Sequence, residues 1–211
     1  MREITGIHHV TCISGDAQEN LDFYTGVLGM RMVKKSVNQD SPDTYHLFYA
    51  DGDGHPRTDL TFFPWPRMPA GTPGIGLSME VSLAIPDGSL AWWAERLGKA
   101  GVSADAQETR HGERAIPFGD PHGLRVALVE TKDAREFTPW DRSEVPADKQ
   151  VLGLHAVRLW ERSVEDTGSF LVRVLGFQPV GEEGGWHRYA VGRGGSGAHL
   201  DIREMPEQRR G

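Results

Sequence analysis

The chain has 211 residues, 38% of them hydrophobic and 25% charged, with a formal net charge of −7. That is enough apolar material for a sizeable core, in one domain or two small ones. The acidic balance and the lack of a clustered Lys/Arg run exclude nucleic acid and an anionic membrane surface as expected partners and leave a small molecule. A single cysteine, Cys12, excludes an internal disulfide framework and suits a reducing cytoplasm; no signal peptide and no apolar stretch of roughly 20 residues, the length that spans a bilayer, can be read.

The stretch GIHHVTCIS, residues 6–14, alternates as a strand, with His9, Thr11 and Ile13 on one face and His8, Val10 and Cys12 on the other. Cys12 then reads as a small core hydrophobe. Asp16 and Glu19 stand at capping-box spacing, which predicts a helix from about Ala17 to Leu28 with Ala17, Leu21, Tyr24 and Leu28 as its apolar stripe and Gly29 as its C-cap. Three strand-like segments follow, MRMVKKSVNQ, TYHLFYAD and TDLTFFPW, separated by turn signals at SPD and DGDGHP. The unit is βαβββ.

The same order returns twice. MEVSLAIP opens a second unit, a helix from Ser89 carries Leu90, Trp93, Ala94 and Leu97 at helical spacing, Gly101 ends it, and strands are drawn through VSADAQETR, ERAIPFGD and LRVALVET. Residues 131–150, charged and with two prolines, read as a linker. GLHAVRLW opens the third unit; its helix starts at Ser163 with Thr167, Phe170, Leu171 and Val174 on one face, stops at Gly176, and is followed by FQPVGE, WHRYAVG and AHLDIRE. The three openings align on His9, Glu80 and His155, 71 and 75 residues apart, a period that implies stacked or paired modules. The expected architecture is α+β, with repeated βαβββ modules forming curved mixed sheets. Modules at about 1–70 and 75–130 are expected to pair, residues 131–150 to link, and the third module, 151–211, to lack a partner.

The GIHHVT opening, the YHLFYAD strand, the FGDPHG turn and the closing EEGGWHRYAV and MPEQRRG segments resemble the vicinal oxygen chelate superfamily, the glyoxalase, bleomycin-resistance and extradiol dioxygenase group. Within it the chain is most similar to ring-cleaving dioxygenases of the hydroquinone type. The resemblance implies a metal-dependent dioxygenase acting on hydroquinone-like dihydroxylated aromatics with O2. It implies Fe(II), or Mn(II), held by two histidines and a carboxylate with open positions. The first ligand is carried onto His9, the second histidine of the IHH motif. The other two ligands belong in that subgroup to a fourth module, so no residue here is carried onto them. The alternative is a non-catalytic binder of small aromatics, or a truncated glyoxalase-like paralogue. An odd number of modules leaves one apolar face to cover, which predicts a homo-oligomer.

Each candidate has a plainer reading. His9 is a metal ligand or a satisfied core histidine. His8 faces away in an ideal strand, yet the family match gives it a substrate-contacting role, and Thr11, on the His9 face, could hold a substrate oxygen or serve only as a β-branched strand residue. Glu80, His155, His199 and Asp201 occupy first- and last-strand positions of the later modules and are the in-chain substitutes for the absent ligands. Ala127 stands where a last-strand carboxylate would lie, and Glu130 should point to the opposite face. His46, His187 and His199 read as cross-strand partners, and His55, His111 and His122 as exposed turn residues. No cofactor loop is read: Gly194, Gly195 and Gly197 lack the Lys-Ser/Thr and helix of a phosphate loop.

Overall fold

The computed structural model describes residues 4–211 and contains the three βαβββ units. The first comprises β1 (His9–Ser14), α1 (Ala17–Leu21, continued as a π-helical segment Asp22–Val27), β2 (Arg31–Val37), β3 (Tyr45–Ala50) and β4 (Asp59–Pro64). The second comprises β5 (Leu77–Pro86), α2 (Leu90–Lys99), β6 (Glu108–Arg110), β7 (Glu113–Gly119) and β8 (Arg125–Thr131). The third comprises β9 (Gly153–Glu161), α3 (Val164–Leu175), β10 (Gln178–Glu183), β11 (Trp186–Ala190) and β12 (His199–Glu204).

Strand pairing corrects the expected arrangement of the modules. The first unit forms its own four-stranded sheet, β1-β4-β3-β2. The second and third form one eight-stranded sheet, β10-β11-β12-β9-β5-β8-β7-β6, joined where the first strands β5 and β9 run antiparallel. Thus the third unit has a partner, and among the described residues the first unit's sheet stands alone, its β1 paired on one side only, with β4. The first two units are nevertheless tied by a common core: Phe23, Tyr24 and Leu28 pack with Leu90, Trp93 and Leu97. Arg96 of α2 stitches the two helices by donating to the carbonyls of Val27 at 2.7 Å and Gly26 at 2.6 Å.

Local chemistry explains the helix starts. Asp16 Oδ1 accepts from the backbone N–H of Gln18 (2.8 Å) and Glu19 (3.1 Å), which satisfies two orphan donors. The π widening that follows was not legible from a 3.6-residue period; it turns Phe23 as well as Tyr24 into the core. At α2 the Ser89 hydroxyl does not cap the helix; the buried Glu130 accepts from Leu90 N–H at 2.7 Å instead, on the face expected for it. The strand drawn through residues 102–110 is formed only over Glu108–Arg110.

The stripe expected on α3 also needs correction. Leu171 and Gly168 are buried, whereas Phe170 and Val174 are exposed, because the sheet's small core of Phe177, Tyr189 and Ile202 meets the Leu171 face. Gly168 allows this approach: a Cβ there would collide with the Tyr189 hydroxyl. Gly168→Ala is therefore expected to destabilise by about 1–3 kcal/mol, despite alanine's better helix propensity. Combining it with Tyr189→Phe should recover part of the loss, and chemical unfolding of the two variants checks this.

Residues 132–150 run as an irregular strap fastened to the first unit. Val145 is buried in the common core, and Thr138 N–H donates to Asp51 Oδ2 at 2.8 Å. Asp51 also accepts from Gly54 N–H at 2.7 Å and lies 2.7 Å from His55 Nδ1. His55 is therefore not the free turn residue expected. Burial raises the Asp51 carboxyl, but the Thr138 and His55 hydrogen bonds outweigh it and hold it below its ordinary 3.8. The hydrogen bond to Asp51 lifts His55 above its ordinary 6.5. By linkage the His55 contribution is complete below pH 6.5 and is lost as pH rises through the raised value. The Asp51 contribution is present above pH 3.8 and is lost as pH falls through the lowered one. The stability advantage of the wild type over His55→Ala should thus plateau in mildly acid solution and fade on the alkaline side, and urea unfolding across pH reads it.

Candidate functional site

Each sheet has one face packed on the helices and one concave face. On the first sheet, Leu47, Tyr49, Leu60 and Phe62 face the core. The register pairs His9 with Asp59, Thr11 with Thr61 and Ile13 with Phe63 on the opposite, concave face. His9 and Thr11 are both exposed there. Cys12 points to the helix side, and burial followed by the charge of Asp120 pushes its thiol up to about 12, so it is inert as a nucleophile.

His8 departs from the ideal alternation. It precedes β1, its carbonyl accepts from Arg57 N–H at 2.8 Å, and its ring meets that of His9 edge-on, Nδ1 to Nδ1 at 3.1 Å. Because the strand begins only at His9, His8 is free to turn alongside it. His8, His9 and Thr11 are therefore brought to one surface. Asp59 shares it; burial raises its carboxyl against the opposing pull of His8 and His9.

His46 is the cross-strand partner expected, but its place on this face, with Thr61 and the aromatic rings, was not read from the sequence. His46 Nε2 lies 3.0 Å from Thr61 Oγ1, and the Thr61 hydroxyl donates to Thr11 Oγ1 at 2.9 Å. The rings of Phe48 and Phe63 flank His46 at 4.0 and 4.2 Å between centroids, and Trp65 stacks on Phe63 at 5.7 Å. The alternation of YHLFYAD and TDLTFFPW places His46 with Phe48 and Thr61 with Phe63. That β4 would insert between β1 and β3 is what only the tertiary structure decides.

The concave face of the eight-stranded sheet gathers the substitutes considered above, Glu80, His155, His199 and Asp201, but as a buried ion-pair network. Arg110 holds Glu80 through Nη1 at 2.5 Å and Nη2 at 3.1 Å. Arg188 holds Asp201 at 2.7 and 3.0 Å and reaches Glu113 at 3.2 Å, and Glu113 lies 3.0 Å from His155 Nε2. Burial alone would raise Asp201, but Arg188 and Arg158 hold it below its ordinary value. Burial, then Arg188 and His155, push His199 down to about 4. Ala127 sits in a small apolar patch with Ala115 and Val129. Three guanidiniums, Arg110, Arg158 and Arg188, occupy this cup and neutralise its carboxylates, so its donor set does not suit a cation. His111 and His122, expected in solvent, each have one ring nitrogen buried.

Among the described residues no three His, Cys, Asp or Glu side chains are grouped to hold a metal ion. The first face offers His9 as a donor and no complete set. Among these residues there is also no helix long and apolar enough to cross a membrane.

Three βαβββ units, the second and third joined through their first strands, define a fold class that builds its sites on the sheet faces of repeated modules. The profile of the Glyoxalase/Bleomycin resistance protein/Dioxygenase superfamily matches residues 6–128, and the chain belongs to that superfamily. It is 39% identical over 97% of its length to MhqO of Bacillus subtilis, provisionally named a ring-cleaving dioxygenase, and covers 65% of that protein. It is 32% identical over 99% of its length to the chlorohydroquinone/hydroquinone 1,2-dioxygenase of Sphingobium indicum, covering 66% of it. A crystal structure of a Bacillus subtilis protein described as a dioxygenase superposes with a TM-score of 0.92 at 38% identity, over 99% of this chain and 66% of that one. The chain thus spans just under two thirds of the length of these relatives.

Proposed function

We propose that this chain carries part of the active site of a metal-dependent, extradiol-type ring-cleaving dioxygenase for hydroquinone-like aromatics. The observation that supports it most is the concave face of the first sheet. There an exposed His9 stands beside His8 and Thr11 above a row of aromatic rings, free of the arginine pairs that fill the other cup. His9 would supply one ligand to Fe(II) or Mn(II). The bound metal provides the redox chemistry that dioxygen needs.

The remaining ligands come, in this reading, from a further βαβββ unit. Its first strand would lie against the open edge of β1 as β9 lies against β5. Glu80 occupies in the second unit the place of His9 in the first, and it faces Arg158 across that pairing, so a strand placed likewise against β1 would bring its side chains over His9. The unit can belong to the same polypeptide or to a second copy. Phe48, Phe63 and the His46 ring form the wall on which a ring substrate stacks. His8 and Thr11 orient a phenolic oxygen and offset the charge that develops on it.

Oxygen uptake with hydroquinone and added Fe(II), run beside light scattering, tests the reading. The monomeric 211-residue chain is expected to be inactive, with turnover confined to oligomers or to the chain joined to a further unit. A monomer that turns over substrate would place the missing ligands within these residues and overturn the completed-site reading. Tight binding of hydroquinone without metal or uptake in any state would favour a non-catalytic aromatic binder.

A further inference from the structure

His46, the histidine that the first face buries deepest, enters the reading above only as part of the stacking wall. His46 lies on β3, its ring held against Phe48 and Phe63, with its Nε2 directed at Thr61. Thr61 is fully buried, and its hydroxyl touches His46 on one side and Thr11 on the other. A hydroxyl has one proton to give. With that proton donated to Thr11 Oγ1, the Thr61 oxygen is left to accept, and His46 must carry its proton on Nε2. Thr11, having accepted one bond, keeps its own proton for whatever oxygen lies in front of His9.

We propose that His46 is a positioning residue for the substrate oxygen: through Thr61 it fixes the direction of a hydroxyl chain that ends on Thr11 and points a donor at a phenolate bound beside His9. This rests on the aromatic-substrate reading and adds to it a residue and a direction. Hydrogen bonds aligned head to tail polarise one another, and a dry middle member keeps water from reversing them. His9 and Lys34 are the other charged or titratable groups acting on the imidazole; burial first, then these two, lower His46 below its ordinary value, which keeps the ring neutral and its tautomer decisive.

The test uses 4-nitrophenol as probe, because its absorbance distinguishes bound phenol from bound phenolate without turnover. Thr61→Val and His46→Leu break the chain and are expected to raise the pKa of the bound probe by about one unit, a tenfold loss of phenolate at a given pH. Thr61→Ser and His46→Gln, which keep a donor in place, should restore it, a pattern that loss of packing alone would not give. Imidazole 15N resonances of the free chain should report the His46 proton on Nε2, and the opposite tautomer overturns the proposal. A bound probe whose phenolate fraction is the same in the wild type and Thr61→Val overturns the proposal alone. No binding of the probe by the wild type overturns the aromatic-substrate reading and this inference with it.

Discussion

Arg188→Met is expected to destabilise the protein by about 3–5 kcal/mol, the usual cost of leaving a buried carboxylate without its partner. Arg188 is 4% exposed and Asp201 1% exposed, and the guanidinium donates twice to Asp201 and again to Glu113. Removing it leaves the buried Asp201 charge without its paired donor, with Arg158 3.6 Å away as the nearest other guanidinium. Adding Asp201→Leu to the same variant should recover much of the loss, since replacing a whole buried pair with packed hydrophobes is often neutral. Urea unfolding of the single and double variants measures both. A single variant within about 1 kcal/mol of wild type, the range of exposed ion pairs, would mean that water reaches this cup, and the argument that it excludes a metal would fall with it.

His9→Ala is expected to do the reverse: to leave the fold untouched and to remove metal binding. The side chain is exposed, and exposed positions change stability by about 0.5 kcal/mol or less. A ligand in an open site contributes affinity, and since altering even an outer partner of a ligand costs about 10–100-fold, losing the ligand itself should exceed that. Iron content after reconstitution of the oligomer, or of the chain joined to a further unit, read beside the thermal midpoint, separates the outcomes. Equal iron in the wild type and His9→Ala, or unfolding of the variant, would return His9 to the role of an ordinary strand residue. The comparison with Glu80→Ala is informative, because Glu80 is the equivalent position in the second unit but is held by Arg110. That variant should lose stability and no metal.

Much of this protein was legible from local pattern. The βαβββ order, the capping by Asp16 and Ser163, the inward face of Cys12 and the opposite-face placement of Glu130 all follow from periods of two and 3.6 and from short-range hydrogen bonds. So did the shared surface of His9 and Thr11, because both lie on one strand. What nearest-neighbour pattern could not decide was which unit pairs with which. The second and third units join through β5 and β9, whose paired residues lie 69 to 83 positions apart in the chain, and nothing in either strand's own sequence names its partner. For the same reason the substitutes for the missing ligands could be placed on the right face yet not seen to be neutralised. Arg110 reaches Glu80 across 30 residues, and Glu113 reaches Arg188 across 75. His46 and Thr61, 15 residues apart, meet only because β4 lies between β1 and β3. Alternation tells each strand which side chains share a face; only the closing of the sheet decides which faces meet, and that closing turns one histidine on β1 into a candidate site and leaves another, on β9, inside a salt-bridged core.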